Sequence, residues 1–90
     1  MRKTDEDTIM EFPCQFPIKV MGIASDNFNI IVTNIIKKHV SNLSENSVRS
    51  RYSQEGNYVS ITVTIEAESR QQLDNIYFDL TEHKKVLMAL

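Results

Sequence analysis

Several residue types on which metal, redox and membrane proteins depend are scarce in this sequence. Its 90 residues include one cysteine, two glycines, two prolines and no tryptophan. The single cysteine, Cys14, forms no internal disulfide bond and is too few for an iron–sulfur cluster, so a reducing compartment is expected and no cofactor is predicted. No apolar run approaches the roughly 20 residues that span a bilayer, and no secretory signal follows the charged start. We therefore expect a cytoplasmic protein with no membrane partner.

An excess of either charge is also missing. Ten basic and twelve acidic side chains give a net charge of -2, without the basic surplus typical of nucleic-acid-binding domains, so no nucleic-acid partner is expected. Five charges and no large apolar side chain after Met1 predict a mobile N-terminal tail over residues 1–8. Residues 9–90 then form a single domain, small enough that self-association would cover surface that one copy leaves exposed.

Hydrophobic periodicity predicts four strands and two helices. Spacings of three and four residues mark the helices, and alternation marks the strands, most clearly from Tyr58 to Glu66. The predicted elements in chain order are a strand from Phe16 to Gly22, a helix over about 26–41, an edge strand over 47–54, a central strand over 58–66, a helix capped by Ser69 with Gln72, and a strand over 86–90. This β-α-β-β-α-β order is that of a ferredoxin-like α+β sandwich.

Such a fold has a four-stranded antiparallel sheet with strand order 4-1-3-2 and both helices on one face. The opposite face is open to solvent, to a ligand or to a second subunit. Alternation assigns to this open face the side chains of Lys19, Met21, Ser60, Thr62, Thr64, Glu66, Leu87 and Ala89. We expect it to be mixed in character rather than strongly apolar.

Both glycines lie at predicted reversals of the chain. Gly56 is expected to form the hairpin turn before the central strand. Gly22 ends the first strand, just before a helix capped by Ser25 or Asp26. It is either a simple turn residue or part of a ligand site, because N–H groups at a helix N-terminus bind anions. In the second interpretation Gly22, Ile23 and Ser25 bind the ligand.

Residues able to carry out catalysis or bind metal form no recognisable motif. Cys14 has no base near it in the sequence, and His39 and His83 lie at the ends of the two helices beside lysines. Neither histidine has an acidic residue at the short spacing of a metal motif. Acylphosphatases share the topology, but they use an arginine in the loop where this chain has residues 22–26. We therefore predict a protein that is not an enzyme and binds no metal.

A second candidate surface is the extended segment from Phe12 to Pro17. Pro13 and Pro17 favour extended geometry in the residues that precede them. Phe12, Pro13 and Phe16 are predicted to contact a protein partner if this segment and the neighbouring sheet edge act together. Packing of Phe12 and Phe16 in the core is the alternative.

Three parts of the sequence resemble the YbeD-like family of small bacterial proteins. They are Glu11-Phe12-Pro13 with Phe16 and the run Ile18 to Gly22, then Gly56-Asn57-Tyr58 with the strand to Val63, and finally the run Val86 to Leu90. The resemblance covers about residues 10–90. It implies a ferredoxin-like fold similar to the ACT regulatory domains, which bind small effectors, often amino acids, at subunit interfaces. It implies no established activity, although the proximity of family genes to lipoate-attachment genes implies a link to lipoate metabolism.

The leading hypothesis combines this resemblance with the open face. It describes a non-enzymatic regulatory or interaction module that forms a homodimer through its sheet and binds a small anionic effector near Gly22. The rival hypothesis is a protein–protein adaptor that uses the Phe12–Pro17 segment and the sheet edge.

Overall fold

The structure, a computed structural model, describes residues 11–41 and 43–90. Its elements are β1 (Cys14–Ile23), α1 (Phe28–Lys37), β2 (Val48–Tyr52), β3 (Tyr58–Ala67), α2 (Arg70–Glu82) and β4 (Val86–Ala89), with a 3₁₀ turn (Glu45–Ser47) before β2. The predicted order of strands and helices is confirmed. The predicted tail over residues 1–8 lies outside the described residues. Neither helix of the described chain reaches the length and apolarity that crossing a bilayer requires.

One antiparallel sheet joins the strands in the order β2-β3-β1-β4. This is the predicted order 4-1-3-2 counted from the other edge. The central strands β1 and β3 have ten residues each and pair over their whole length, from Cys14 opposite Ala67 to Ile23 opposite Tyr58. Their long ladder fixes which side chains point toward the helices and which toward the open face.

The hydrophobic core lies between the sheet and the two helices. Alternate residues of β1 and β3 enter it, and they meet the apolar stripes predicted for α1 and α2. The buried set comprises Ile18, Val20, Val59, Ile61, Val63, Ile65 and Ala67 from the central strands, Phe28, Val32, Ile35, Ile36, Leu73, Ile76 and Leu80 from the helices, and Val40 and Val86. Burial of each large apolar side chain contributes about 1.5 to 3 kcal/mol.

Helix α1 is shorter than predicted. Asn27 is its N-cap, in place of the predicted Ser25 or Asp26, and its side chain caps no backbone N–H. The Asn27 Oδ1 atom instead accepts a hydrogen bond of 3.0 Å from Ser25 Oγ. The helix ends at Lys37 because the next two N–H groups donate to carbonyls three residues back, at 3.3 and 2.9 Å, which tightens the last turn.

Helix α2 begins at the predicted cap. Ser69 Oγ accepts from the Gln72 N–H at 3.0 Å, as the capping motif requires. Gln72 Oε1 accepts from the Glu68 N–H at 2.7 Å, and Gln72 Nε2 donates to the His39 carbonyl oxygen at 2.8 Å. Gln72 therefore connects the start of α2 to the chain just after α1, which sequence alone did not predict.

Gly22 has a different role from the predicted turn residue. It lies inside β1, opposite Val86 of β4. A Cβ atom on Gly22 would lie 2.4 Å from the Phe28 ring and 2.5 Å from the Lys85 carbonyl oxygen. Close packing therefore requires glycine here. Gly56 has a φ of 78° with nothing near its missing Cβ, so it serves the predicted hairpin turn.

A β-bulge next to Gly22 changes which side chains of β4 point toward the open face. Val20 lies opposite Ala89 and Met21 opposite Met88, and the register then shifts so that Gly22 lies opposite Val86. Ala89 consequently packs against the core, while Met88 shares the open face with Met21. The prediction that Ala89 lies on the open face is wrong, because simple alternation does not anticipate an inserted residue.

The packing around Gly22 predicts a large effect of one methyl group. Gly22→Ala should lower the free energy of unfolding by about 2 to 3 kcal/mol, since the Lys85 carbonyl is part of the backbone and yields little. Gly56→Ala is the matched control, and its positive φ should cost about 1 kcal/mol. Urea unfolding followed by circular dichroism measures both. Equal losses in the two variants would contradict the packing role of Gly22.

Candidate functional site

The open face of the sheet is the candidate site. Strand register arranges its side chains in rows that run across the sheet. One row contains Arg51, Ser60, Met21 and Met88, and the next contains Arg49, Thr62, Lys19 and Leu90. Lys19 and Leu90 exchange backbone hydrogen bonds of 2.9 and 2.7 Å, which extends the last strand by one pair.

Apolar side chains gather at the β1 and β4 side of this face. Met21 lies beside Met88, and Ile23 lies opposite Tyr58 of β3. Leu90 lies two residues after Met88, on the same face. Ile23, Met88 and Leu90 are 57%, 48% and 62% exposed. The open-face cluster, as it is called below, consists of Met21, Ile23, Tyr58, Met88 and Leu90. Contiguous exposed apolar side chains are typical of interaction surfaces, so this side of the face is more apolar than the sequence indicated.

Positive charge gathers at the β2 side of the same face. Arg49 and Arg51 of β2 lie in the same rows as the hydroxyl side chains of β3, whereas Lys19 lies further in, on β1 opposite Leu90. Within the described part of the chain neither arginine forms an ion pair. The open face therefore divides into an apolar half and a cationic half that carries hydroxyl groups.

A shallow depression of about 110 Å³ lies between these two halves. Its lining includes Met21, Arg51, Tyr58 and Ser60. The Arg51 side chain forms part of its wall, and its accessible lining is almost entirely apolar. Typical ligand pockets have volumes of roughly 300 to 1,000 Å³, so this depression is smaller than such a pocket.

A larger groove of about 450 Å³ lies on the helix side of β2. Ile30, Asn34 and Lys37 of α1 form one wall, and Leu43 and Val48 form the other. Ile30 is 60% exposed, so the groove offers an apolar side chain to solvent, and its mixed lining also includes the polar side chains of Asn29, Thr33 and Ser44. Its position along the outer edge of the sheet brings it next to the backbone of β2.

The structure places the three predicted ligand residues apart from one another. Gly22 is buried beneath the Phe28 ring, Ile23 lies on the open face, and Ser25 lies in the loop before α1, where it donates to Asn27. No described pocket brings the three together. Ligand binding by this set stays a prediction.

The three predicted partner-binding residues lie near the start of β1. Phe12 and Phe16 are half-buried and pack against the core, as in the core-packing alternative. Pro13 is exposed and follows a cis peptide bond. Because β4 pairs with β1 only from Lys19 onward, the edge of β1 before that residue has no neighbouring strand in the described chain.

One polar contact that the sequence did not reveal joins the chain just after α1 to α2. His39 Nε2 lies 2.6 Å from Asp79 Oδ2, and the two side chains are 21% and 38% exposed. The residues are 40 positions apart, so no local pattern indicates the pair. His83 caps the end of α2, and its Nδ1 accepts from the Lys85 N–H at 3.2 Å. Among the described residues, no three acidic, histidine or cysteine side chains form a group suited to a metal ion.

Among the residues that the structure describes, burial alters the pKa of one ionisable group. Desolvation raises the pKa of the Tyr77 phenol above its ordinary value of 10.0, because the charged phenolate is disfavoured near the apolar core. Tyr77 packs against that core from α2. The group lies on the helix side of the sheet, away from the open face.

Comparison with known sequences gives a consistent result. The family model described as "Protein of unknown function (DUF493)" matches residues 7–90. A UPF0250 protein of Chromobacterium violaceum is 44% identical over 86 residues, which cover 96% of this chain and 97% of that protein. The UPF0250 protein NE1487 of Nitrosomonas europaea is 40% identical over 85 residues, covering 94% and 98%.

Two solved structures share the fold at low sequence identity. The solution structure of protein HP0495 from H. pylori has a TM-score of 0.68 at 14% identity and covers 90% of this chain and 85% of that one. The ACT domain of the GTP pyrophosphokinase of Chlorobium tepidum has a TM-score of 0.64 at 13% identity and covers 84% of each chain. The ACT-like fold expected from the sequence is confirmed.

The hydrogen bond between His39 and Asp79 predicts a modest contribution to the free energy of unfolding. Asp79→Asn should lower the free energy of unfolding by about 0.5 to 1 kcal/mol, because it weakens a half-buried hydrogen bond to His39. Asp74→Asn is the matched control on the same helix. Asp74 lies 4.0 Å from Arg70 with both side chains largely exposed, so its loss should stay below about 0.3 kcal/mol. Urea unfolding at neutral pH measures both, and equal losses would count against the pair.

Proposed function

Since this chain belongs to the YbeD-like DUF493 (UPF0250) family and has an ACT-like fold, we propose that it is a non-enzymatic regulatory and interaction module that dimerises through the open face of its sheet. The observation that carries the proposal is the open-face cluster. Its apolar side chains lie on the face that neither helix covers. In this proposal a second copy of the chain covers them.

A two-fold axis parallel to the strands suits the distribution of charge on this face. Such an axis through the cluster brings the apolar side chains of both copies together, since the same patch faces itself. Met21 and Met88 are adaptable in such contacts because methionine is flexible and polarisable. Arg49 of each copy then lies at the far edge of its own sheet, so the cationic halves stay apart.

The proposed effector is a small anion with an apolar body, bound where the two copies meet. The depression beside the cluster supports this position, because Arg51 borders it and would pair with a carboxylate, while Met21 and Tyr58 would contact the apolar part. A second copy seated on the cluster encloses the depression. Gly22 is a poorer position, because the Phe28 ring fills the space beside it. Amino acids and lipoyl compounds have the required chemistry, and ACT domains and the lipoate link implied by the resemblance point to the same classes.

The adaptor hypothesis stays a prediction and has one supporting observation. The edge of β1 near Pro17 has no neighbouring strand in the described chain, as strand addition by a partner requires. Pro17 lacks the N–H group that such pairing uses. Phe12 and Phe16 contact the core rather than solvent alone, which weakens their role as a partner surface.

If the chain dimerises through the open-face cluster, one charge introduced into the cluster should disrupt the dimer. Met88→Glu should convert the dimer to a monomer, because two carboxylates would be buried against apolar side chains. Phe78→Glu is the matched control, since Phe78 is 63% exposed on α2 and lies on the helix side. Sedimentation velocity across a concentration series measures the change, with circular dichroism to check folding. A monomeric wild-type chain, or equal effects of both substitutions, would contradict the proposal.

Effector binding predicts a separate role for each arginine of β2. A ligand found by calorimetric screening of amino acids and lipoic acid should bind Arg51→Gln about tenfold more weakly, which corresponds to 1.4 kcal/mol. Arg49→Gln should keep the wild-type affinity, because Arg49 does not line the depression. If no compound of either class binds the dimer, the effector part of the proposal is wrong while dimerisation stands.

A further inference from the structure

The outer edge of β2 offers backbone groups to another strand. Arg49 pairs with Thr62 and Arg51 with Ser60 of β3, and the Ser53 N–H donates to the Tyr58 carbonyl at 2.8 Å. Along an antiparallel strand, the N–H and C=O groups of successive residues point alternately toward one neighbouring strand and away from it. The intervening residues Val48, Ser50 and Tyr52 therefore direct their N–H and C=O groups outward. In the described chain no strand lies beyond β2.

The two faces beside this edge differ in chemistry. On the helix side lies the groove of about 450 Å³ between α1 and β2, where Ile30, Leu43 and Val48 provide apolar contacts among polar side chains such as Asn34 and Lys37. On the open face lie the guanidinium groups of Arg49 and Arg51. Side chains of an added strand alternate between the same two faces, so one set meets the groove and the other meets the arginines.

We propose that the β2 edge binds an extended segment of a partner protein in which apolar and acidic residues alternate. Its backbone pairs with Val48, Ser50 and Tyr52, its apolar side chains enter the groove, and its carboxylates pair with Arg49 and Arg51. This is strand addition with side-chain pockets for specificity. The inference goes beyond the proposed function and does not rest on dimerisation through the open-face cluster.

Charge favours an acidic partner over a second copy at this edge. Antiparallel pairing of β2 with β2 of another copy would place four arginines on one face, and like charges on neighbouring strands are destabilising. Charged edge strands resist self-pairing for this reason. An acidic segment removes the repulsion and forms charge-assisted hydrogen bonds instead.

The test uses the full chain, labelled with ¹⁵N, and a short capped peptide in which glutamate alternates with valine. We expect the peptide to shift the amide signals of Val48, Ser50 and Tyr52. A peptide with lysine in place of glutamate should bind more weakly by a factor of about ten or more. Added salt should weaken binding of the glutamate peptide, because exposed charges are screened.

Two variants at one position separate strand addition from other binding. Ser50→Pro removes an N–H that points outward, which an edge strand tolerates, and it should abolish the shifts. Ser50→Thr keeps the N–H and should bind as the wild type does. If Ser50→Pro fails to fold, the double variant Arg49→Glu with Arg51→Glu decides, because it leaves the backbone intact and should reverse the preference to the lysine peptide.

Three results with the peptides would overturn this inference, and a fourth result, from sedimentation velocity, would also do so. The glutamate peptide shifts no amide of the β2 edge, or its binding survives Ser50→Pro in a folded protein, or the charge-reversed variant keeps the preference for glutamate. Sedimentation velocity identifies the remaining occupant. If Ser50→Pro dissociates a dimer that Met88→Glu leaves intact, a second copy occupies the edge and the acidic partner is excluded.

Discussion

The ten-residue antiparallel ladder between β1 and β3 is the constraint on which the remaining features depend. Because strand side chains alternate, a ladder of this length assigns every residue of both strands to one of two faces. The inward set, with Ile18 and Val63 at its centre, requires two helices to cover it. The outward set remains as a second surface. Core, open face and free edges all follow from this one pairing.

A single close contact modifies that scheme where β1 ends. The Phe28 ring and the Lys85 carbonyl both lie against the Cα of Gly22, and next to this residue the register of β4 shifts by one. The shift brings Met88 beside Met21 and turns Ala89 inward. The absence of a side chain at Gly22 lets α1 pack closely against β1. It also coincides with the register shift that places Met88 on the open face. Packing and surface chemistry are coupled at this point.

The two proposed protein interfaces occupy different parts of the sheet. Association through the open-face cluster involves β1, β4 and the start of β3, whereas a partner strand would use the outer edge of β2. Arg51 belongs to both regions, since it lines the depression and flanks the edge. A small anion at the depression and an acidic segment at the edge would therefore meet the same guanidinium group. If both proposals hold, the two ligands would compete for Arg51, and a small ligand would thereby alter partner binding.

Sequence by itself determined the element order, the sheet order and most of the core, because hydrophobic periodicity of two and of 3.6 residues is local. It also identified the Ser69 and Gln72 cap and the Gly56 hairpin, whose geometry needs only neighbouring residues. Tertiary structure decided the rest. The contact of Gly22 with the Lys85 carbonyl, the facing of Met88 and the pairing of His39 with Asp79 each join residues that are 40 or more positions apart. Periodicity along the chain carries no record of which distant groups meet, since those contacts exist only once the sheet and helices have packed together.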